Sequence, residues 1–319
     1  MQVYASCAQA RSACSWQSAV VAIGNFDGVH HGHRELLQRT VAAARACGAA
    51  AVVLTFDPHP TAVLAPAAAP TLITDAARRL ELLADAGIDA VVVQRFSREF
   101  AAISADAFVG TLLCGDLAAL HIVVGHDFSY GAQRTGSVAT LAGHAAAHGA
   151  TAEVVPAVRD HGVIASSTAI RAALRAGDVA TANRLLGRCY DVDGVVIHGA
   201  KRGREIGVPT ANIRPTTPML LMPGIYAVRL AVKLPTSGER NWHWLPAVAS
   251  LGTNPTFVDN GGLSFEVHVL DWAGDLYDRD VRVEIVARLR GEEKYAGIEP
   301  LLAQIRIDVT QARAIFTAL

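Results

Sequence analysis

The chain has 319 residues, of which 51% are hydrophobic and 18% charged, and its formal net charge is −1. That length fits about two domains, each with its own core, and the composition excludes an intrinsically disordered chain. Near-neutrality excludes a global field that would recruit nucleic acid or an acidic membrane, so any phosphate binding has to come from local sites.

Five cysteines are scattered without a C-x-x-C pair, which reads as a reduced, cytoplasmic chain with no structural zinc. Residues 1–18 lack the apolar core of a signal peptide, and the longest apolar run, residues 46–56, is too short for the roughly twenty residues that span a bilayer. The expectation is a protein with no membrane and no nucleic-acid partner.

The first half alternates β-branched runs with amphipathic stretches. Val20–Ile23, Ala51–Phe56, Ala90–Gln94, His121–Val124 and Ala152–Val155 are predicted strands. Between them, Arg34–Cys47, Ala76–Ala86, Ala105–Cys114 and Ser137–His148 are predicted helices. Such alternation implies an α/β fold, with a parallel sheet covered by helices on both faces. A further helix, Thr168–Leu186, ends at Gly187. The pattern then changes to short alternating segments: Asp193–Ile197, Ile225–Val232, Pro246–Ser250, Ser264–Leu270 and Val281–Leu289. Turns rich in Gly, Pro, Asn and Asp separate them, which predicts an antiparallel sheet or small barrel, closed by a last helix over Glu299–Ala318. The domains are accordingly placed at residues 1–186 and 187–319.

Parallel sheets bind ligands at the C-terminal ends of their strands. Those ends carry GNFDGVHHGH (Gly24–His33), TFDPHP (Thr55–Pro60) and GHDFSYG (Gly125–Gly131). In the first, a buried strand empties into a glycine-rich turn, and His30 and His33 stand in an H-x-G-H arrangement where a helix should begin. Helix-terminal N–H groups offer themselves to an anion, and imidazoles there stabilise charge building on an α-phosphate. As an isolated match, a turn with exposed histidines would be the better reading; its place between strand and helix reverses that.

Ser166-Ser167-Thr168-Ala169-Ile170-Arg171 could be simple helix capping. Capping does not explain Arg171, because a cation in the first turn opposes the helix dipole unless an anion is nearby. A triphosphate would resolve the conflict. In the second half, HGAKRGREIGVPTANI (His198–Ile213) offers Lys201, Arg202, Gly203 and Arg204 to phosphates, although a solvated basic turn is the plainer alternative. On an extended chain Thr210 and Asn212 point the same way, presenting hard oxygen donors suited to Mg²⁺ beside nucleotide phosphates. Glu266 lies with His268 on the polar face of a predicted strand. Most such carboxylates are merely solvated, but a kinase acting on an alcohol needs a proton acceptor. No P-loop, G-x-G-x-x-G or nucleophile elbow occurs.

Taken together, these segments resemble the bacterial bifunctional riboflavin kinase/FAD synthetases over nearly the whole chain. GNFDGVHHGH, TFDPHP, GHDFSYG, SSTAIRAAL and LLGR are similar to the adenylyltransferase half, in order. GAKRGREIGVPTANI, PGIY (Pro223–Tyr226), GTNPTF (Gly252–Phe257) and FEVHVLDW are similar to the kinase half. The resemblance implies a nucleotidyltransferase-type first domain and a riboflavin kinase β-barrel second domain. It implies ATP-dependent phosphorylation of riboflavin to FMN, then adenylylation of FMN to FAD with release of pyrophosphate, with Mg²⁺ as cofactor, ATP as co-substrate and small-molecule substrates (riboflavin, FMN, ATP) handled by a monomer or weak homo-oligomer.

By position it implies that His30 and His33 stabilise the α-phosphate and that Gly24, Asn25, Phe26 and Asp27 line the ATP phosphates. Ser167, Thr168 and Arg171 would hold the leaving pyrophosphate. Phe56, Pro58, His59, Asp127, Phe128, Tyr130 and Arg290 would contact flavin. Thr210 and Asn212 would bind Mg²⁺ and ATP, and Glu266 would be the base on the ribityl hydroxyl. Val208, Asn254, His31 and Trp272 depart from the usual pattern, and none of them is a group assigned to chemistry. The alternatives are that one half alone is active (the FMN adenylyltransferase), or that the chain is a non-catalytic flavin-binding regulator. An aminoacyl-tRNA synthetase, which also uses H-x-G-H, is disfavoured by the missing K-M-S-K-S loop.

Overall fold

The computed structural model describes residues 1–199, 203, 206–233, 242–253 and 263–318. Their contacts divide the chain into two compact units: 1–71 with 76–166, and 72–75 with 167–319.

The first unit is built on six parallel strands: β1 (Gln2–Tyr4), β2 (Ala19–Ile23), β3 (Ala50–Asp57), β4 (Ala90–Arg95), β5 (Ala119–Gly125) and β6 (Thr151–Val155). Their spatial order is β1-β4-β3-β2-β5-β6. Strand β2, AVVAI, is buried at every position, as both faces of a covered parallel sheet require. Its alternate residues feed two cores. Val21 and Ile23 join Val52, Leu54, Ile122, Leu113 and Leu141 on one face. Val20 and Ala22 join Val53, Val91, Leu37 and Leu83 on the other. Helices α1 (Cys7–Ala13) and α5 (Val138–Ala147) contribute to the first core. Helices α2 (His31–Cys47) and α4 (Ala76–Asp85) contribute to the second. A short helix, α3 (Pro60–Leu64), follows β3.

Successive strands run from β2 to β4 on one side, and β5 then pairs on the other side of β2. The direction of winding therefore reverses at β2, and the crevice at such a reversal is where open α/β sheets bind ligands. The three motif loops leave β2, β3 and β5.

The second unit begins with α6 (Ser167–Arg175) and α7 (Val179–Leu186). Where the sequence predicts one helix over Thr168–Leu186, the chain breaks. Gly177 takes φ +74, and the Asp178 side chain accepts the Thr181 N–H to start a new helix. Six antiparallel strands follow: β7 (Tyr190–Ile197), β8 (Ala211–Pro215), β9 (Gly224–Lys233), β10 (Trp242–Thr253), β11 (Leu263–Val269) and β12 (Asp280–Arg290). They close a barrel in the order β7-β8-β11-β10-β9-β12. Helix α8 (Ile298–Thr317) packs its Ala312 on Ala227, Val248 and Leu270 of this unit.

The structure also adds what the pattern missed. The edge strand β1 and the five-residue β8 were not predicted, and both are held by longer neighbours. The predicted helix Ala105–Cys114 is a single α-turn, Ala105–Ala107, running into a π-helix over Phe108–Asp116. The expected domain boundary near Leu186 and the contact division at Ser166/Ser167 differ by the α6–α7 pair. These helices belong with the second unit: Asn183 Nδ2 donates to Ile285 O of β12 (2.9 Å), and its Oδ1 accepts from Tyr190 N–H (2.7 Å).

Candidate active sites

In the first unit, helix α2 starts at His30, which caps it. The His30 Nδ1 accepts the backbone N–H of His33 at 3.3 Å. That bond fixes the neutral tautomer: the proton sits on Nε2, which remains a donor. The two rings stack with centroids 3.7 Å apart, and Phe26 lies 5.2 Å from His33. Burial, and then the neighbouring His30, push the His33 pKa well below the usual imidazole value. His33 is therefore neutral at pH 7. Its Nδ1 is enclosed and has no hydrogen-bond partner among the described residues.

The spacing H-x-G-H has a packing reason as well. A Cβ on Gly32 would stand 3.1 Å from both the Ala165 carbonyl oxygen and the His30 ring. The turn before the helix is wound left-handed, with φ +49 at Phe26, +84 at Gly28 and +40 at Val29. A β-branched residue in that region is strained, and strain of this kind persists only where surrounding bonds over-determine it. Here the Asn25 carbonyl accepts from both Thr55 Oγ1 (3.3 Å) and Arg79 Nη1 (3.2 Å). The Asn25 amide lies 3.1 Å from His59 Nε2, tying the first motif loop to the second.

Among the phosphate candidates, Gly24 makes room for the Phe26 ring, which is fully buried, so Phe26 has only main-chain groups to offer a ligand. Asp27 is buried too. Among the flavin candidates, Pro58 follows Asp57 through a cis peptide bond, and His59 caps α3. Phe56 and Tyr130 are core residues. They belong to a continuous series of ring contacts, Phe56 to Phe100 to Phe108 to Tyr130, that ends on half-buried Phe128, stacked at 5.5 Å. Tyr130 is fixed in turn by His144 Nδ1, 2.7 Å from its hydroxyl. Asp127 is exposed beside Phe128. Two open cavities of about 570 Å³ lie at the ends of β3 and β4, sharing Arg95; Phe100 lines one and Pro58 the other.

Ser167, Thr168 and Arg171 stand on the first turns of α6, in the second unit. Arg171 is only 8% exposed and so is not a solvated surface charge.

In the barrel, register assembles the second cluster. Asn212 of β8 is the cross-strand partner of Glu266 on β11, and Glu266 is also opposite Ser250 of β10. Along β11, Phe265, Val267 and Val269 are buried while Glu266 and His268 are half-exposed, as the alternation predicts. Both carboxylate oxygens are held: Thr210 Oγ1 donates to Oε2 (3.0 Å) and Ser264 Oγ to Oε1 (3.2 Å). The segment before β8 is anchored by His268, whose Nδ1 lies 2.8 Å from the Pro209 carbonyl. A Cβ on Gly199 would collide with the Asn212 amide, so that residue lets the two chains approach. Lys201, Arg202, Arg204 and Asn254 lie outside the described residues; Gly203 O accepts from Val208 N–H (2.8 Å).

Arg290 of β12 is committed to the terminal helix. Its Nε and Nη2 reach the Asp308 carboxylate at 2.9 and 2.8 Å, and its Nη1 donates to Gly291 O (3.0 Å). The residues that sequence reasoning missed are Thr55, Arg79, Ser250 and Ser264. Thr55 and Ser264 carried a signal, the first opening the TFDPHP segment and the second standing two residues before Glu266 on the same strand face.

Two family models match the chain in tandem, FAD synthetase over residues 12–169 and riboflavin kinase over residues 186–316. A bifunctional riboflavin kinase/FMN adenylyltransferase from Escherichia coli K12 is 38% identical over 300 residues, covering 94% of this chain and 93% of that protein. Its counterpart from Pseudomonas fluorescens is 36% identical over 299 residues, with the same coverage of 94% and 93%. A solved structure from Streptococcus pneumoniae, described as a macrolide-efflux protein, matches with a TM-score of 0.80 and 31% identity, covering 93% of this chain and 94% of that one. Among the described residues no helix is long and apolar enough to cross a membrane. With both halves matched in order and relatives aligned nearly end to end, the chain belongs to the bifunctional riboflavin kinase/FMN adenylyltransferase family.

Proposed function

We propose that the second unit phosphorylates riboflavin with ATP to give FMN. The first reaction centre, at the end of β2, then adenylylates FMN to give FAD and pyrophosphate. The observation that carries this reading is the contrast between two sites on one chain: paired neutral imidazoles at a helix start, and a carboxylate held at both oxygens in a barrel.

In the adenylylation, a phosphate oxygen of FMN attacks the α-phosphorus of ATP and the bond to pyrophosphate breaks. FMN's phosphate is largely ionised at pH 7, since a monoester's second pKa is about 6, and so it needs no base. It needs charge stabilisation, which His30 Nε2–H and the neutral His33 supply as donors aimed at developing negative charge. Ser167, Thr168 and Arg171 hold the pyrophosphate as it leaves, so the functional division stays near Leu186 even though α6 packs with the barrel. Pro58, His59, Asp127 and Phe128 serve the flavin.

In the kinase reaction the nucleophile is a neutral alcohol. Glu266 accepts its proton, and the Thr210 and Ser264 hydroxyls orient the carboxylate. Thr210 gives its hydrogen to Glu266, which leaves the lone pairs of its oxygen for a cation, and Asn212 adds an amide oxygen. This hard, all-oxygen donor set fits Mg²⁺. When bound, the ion would supply positive charge to neutralise the ATP phosphates. Five scattered cysteines with no disulfide among them support a reducing, cytoplasmic setting.

The test is a time course of purified protein with riboflavin, ATP and Mg²⁺, the flavins being separated by chromatography. FMN should appear first and FAD after it. Unchanged riboflavin, with supplied FMN also unchanged, would overturn the reading.

A further inference from the structure

Arg79 belongs to no motif, and on sequence it is one of two adjacent arginines on a surface-type helix. Arg78 pairs with exposed Glu81 at 2.9 Å. Arg79 lies deeper: it is 6% exposed, in a chain that keeps few charges inside. Burying a guanidinium is costly unless its donors are used. One of them goes to the main-chain oxygen of Asn25, 54 residues earlier, in the first motif loop.

That oxygen already has a donor in Thr55 Oγ1, so the carbonyl does not need a cation merely to be satisfied. What the second donor adds is direction and charge. The carbonyl immediately precedes Phe26, where the chain enters its left-handed turn through Gly28 and Val29, and the turn ends at His30. Rotation of the Asn25–Phe26 peptide would release that turn and, with it, the capping bond from His33 N–H to His30 Nδ1. A charge-assisted bond from a buried, planar donor resists such rotation better than a hydroxyl alone.

We propose that Arg79 is a positioning residue for adenylyl transfer: it clamps the Asn25 carbonyl, and thereby the strained turn that sets His30 and His33. It touches neither substrate nor the reacting atoms. The proposal rests on the adenylyltransferase reading given above, with this turn as the reaction centre.

The test is steady-state adenylylation of supplied FMN by full-length Arg79→Met and Arg79→Lys, with riboflavin phosphorylation measured on the same preparations. Arg79→Met should lower kcat about 30-fold with KM for ATP changed less than about threefold, because an ångström-scale displacement of catalytic groups is felt mainly in the transition state. Arg79→Lys, which keeps a charge but loses the fork, should recover part of that, to about fivefold below the parent. Kinase turnover should stay within twofold in both. A merely structural role would lower the melting temperature while folded protein kept its kcat; parental kcat in folded Arg79→Met would overturn the proposal. Should Arg79→Met not fold, parental kcat in Arg79→Lys would do the same. A parent enzyme that fails to make FAD from FMN strikes the adenylyltransferase reading instead, and is told apart by the parent assay.

Discussion

The two proposed reaction centres solve opposite problems of placement. The first is set on a turn between a strand and a helix, where three residues in the left-handed region and a capping imidazole fix two rings against each other. The second is set on a row of strand partners, where β-sheet register alone brings Asn212, Glu266 and Ser250 side by side. A site on a turn needs bonds from elsewhere to hold its shape, and here they come from Thr55, Arg79 and His59. A site on a ladder inherits its precision from the sheet. The expectation is that the first centre is sensitive to changes in its supports, and the second chiefly to changes in its own chemical groups.

The sharpest break of this comparison is Glu266→Gln. It keeps the strand, and an amide still accepts from one of Thr210 and Ser264, but it removes the proton acceptor. Riboflavin phosphorylation should fall by about 10²- to 10⁴-fold, while FAD formation from supplied FMN is unchanged; a loss of both activities would contradict separate centres.

A smaller effect is expected from Gly32→Ala, which changes no chemical group. The new methyl would press on the Ala165 carbonyl and the His30 ring at 3.1 Å. Displacing His30 should reduce adenylylation by roughly tenfold, since modest misplacement of a catalytic group is costly. Kinase turnover is the internal control, and an adenylylation rate within twofold of the parent would show that the turn tolerates the push.

The smallest effect is on stability. His33 has a folded pKa below its unfolded value, so the unfolded chain binds the extra proton first. Its contribution is fully present above the unfolded value of about 6.5 and is lost as pH falls from there towards the depressed folded value. Thermal melts between pH 7.5 and 5 should show the parent losing more stability on acidification than His33→Gln. Parallel losses in the two proteins would mean that the ring pair is not held neutral by its surroundings.

How much of this was legible beforehand follows from where the forces lie. The central strands were readable because a covered parallel sheet needs continuous apolar runs, and AVVAI can be little else. The H-x-G-H spacing was readable because capping is local. The single helix expected over Thr168–Leu186 failed at Gly177, where alanine-rich flanks hide a break made by one positive φ and one new cap. Strand β8 was missed because Ala-Asn-Ile-Arg-Pro has little strand propensity of its own; β7 and β11 impose the conformation by pairing on either side. Arg79 was beyond reach for a related reason. Its partner lies far along the chain, and a basic pair on an amphipathic helix reads as a solvated face. Arg290, expected at the flavin, anchors a helix through Asp308, and nothing local in either segment announces that pairing.

The contact division at Ser166/Ser167 bears on how such a chain can be inherited. The FAD synthetase model stops at residue 169, while helix α6 runs on to Arg175 in the company of the barrel. A recombination event that exchanged one kinase half for another at the contact seam would carry Ser167, Thr168 and Arg171 across with it. The newcomer would then supply the three residues proposed to hold the pyrophosphate, in an enzyme it was not selected with. Lineages should therefore swap these halves rarely, or swap them at the far end of α7, where the ancestral helix pair would have to learn a new barrel.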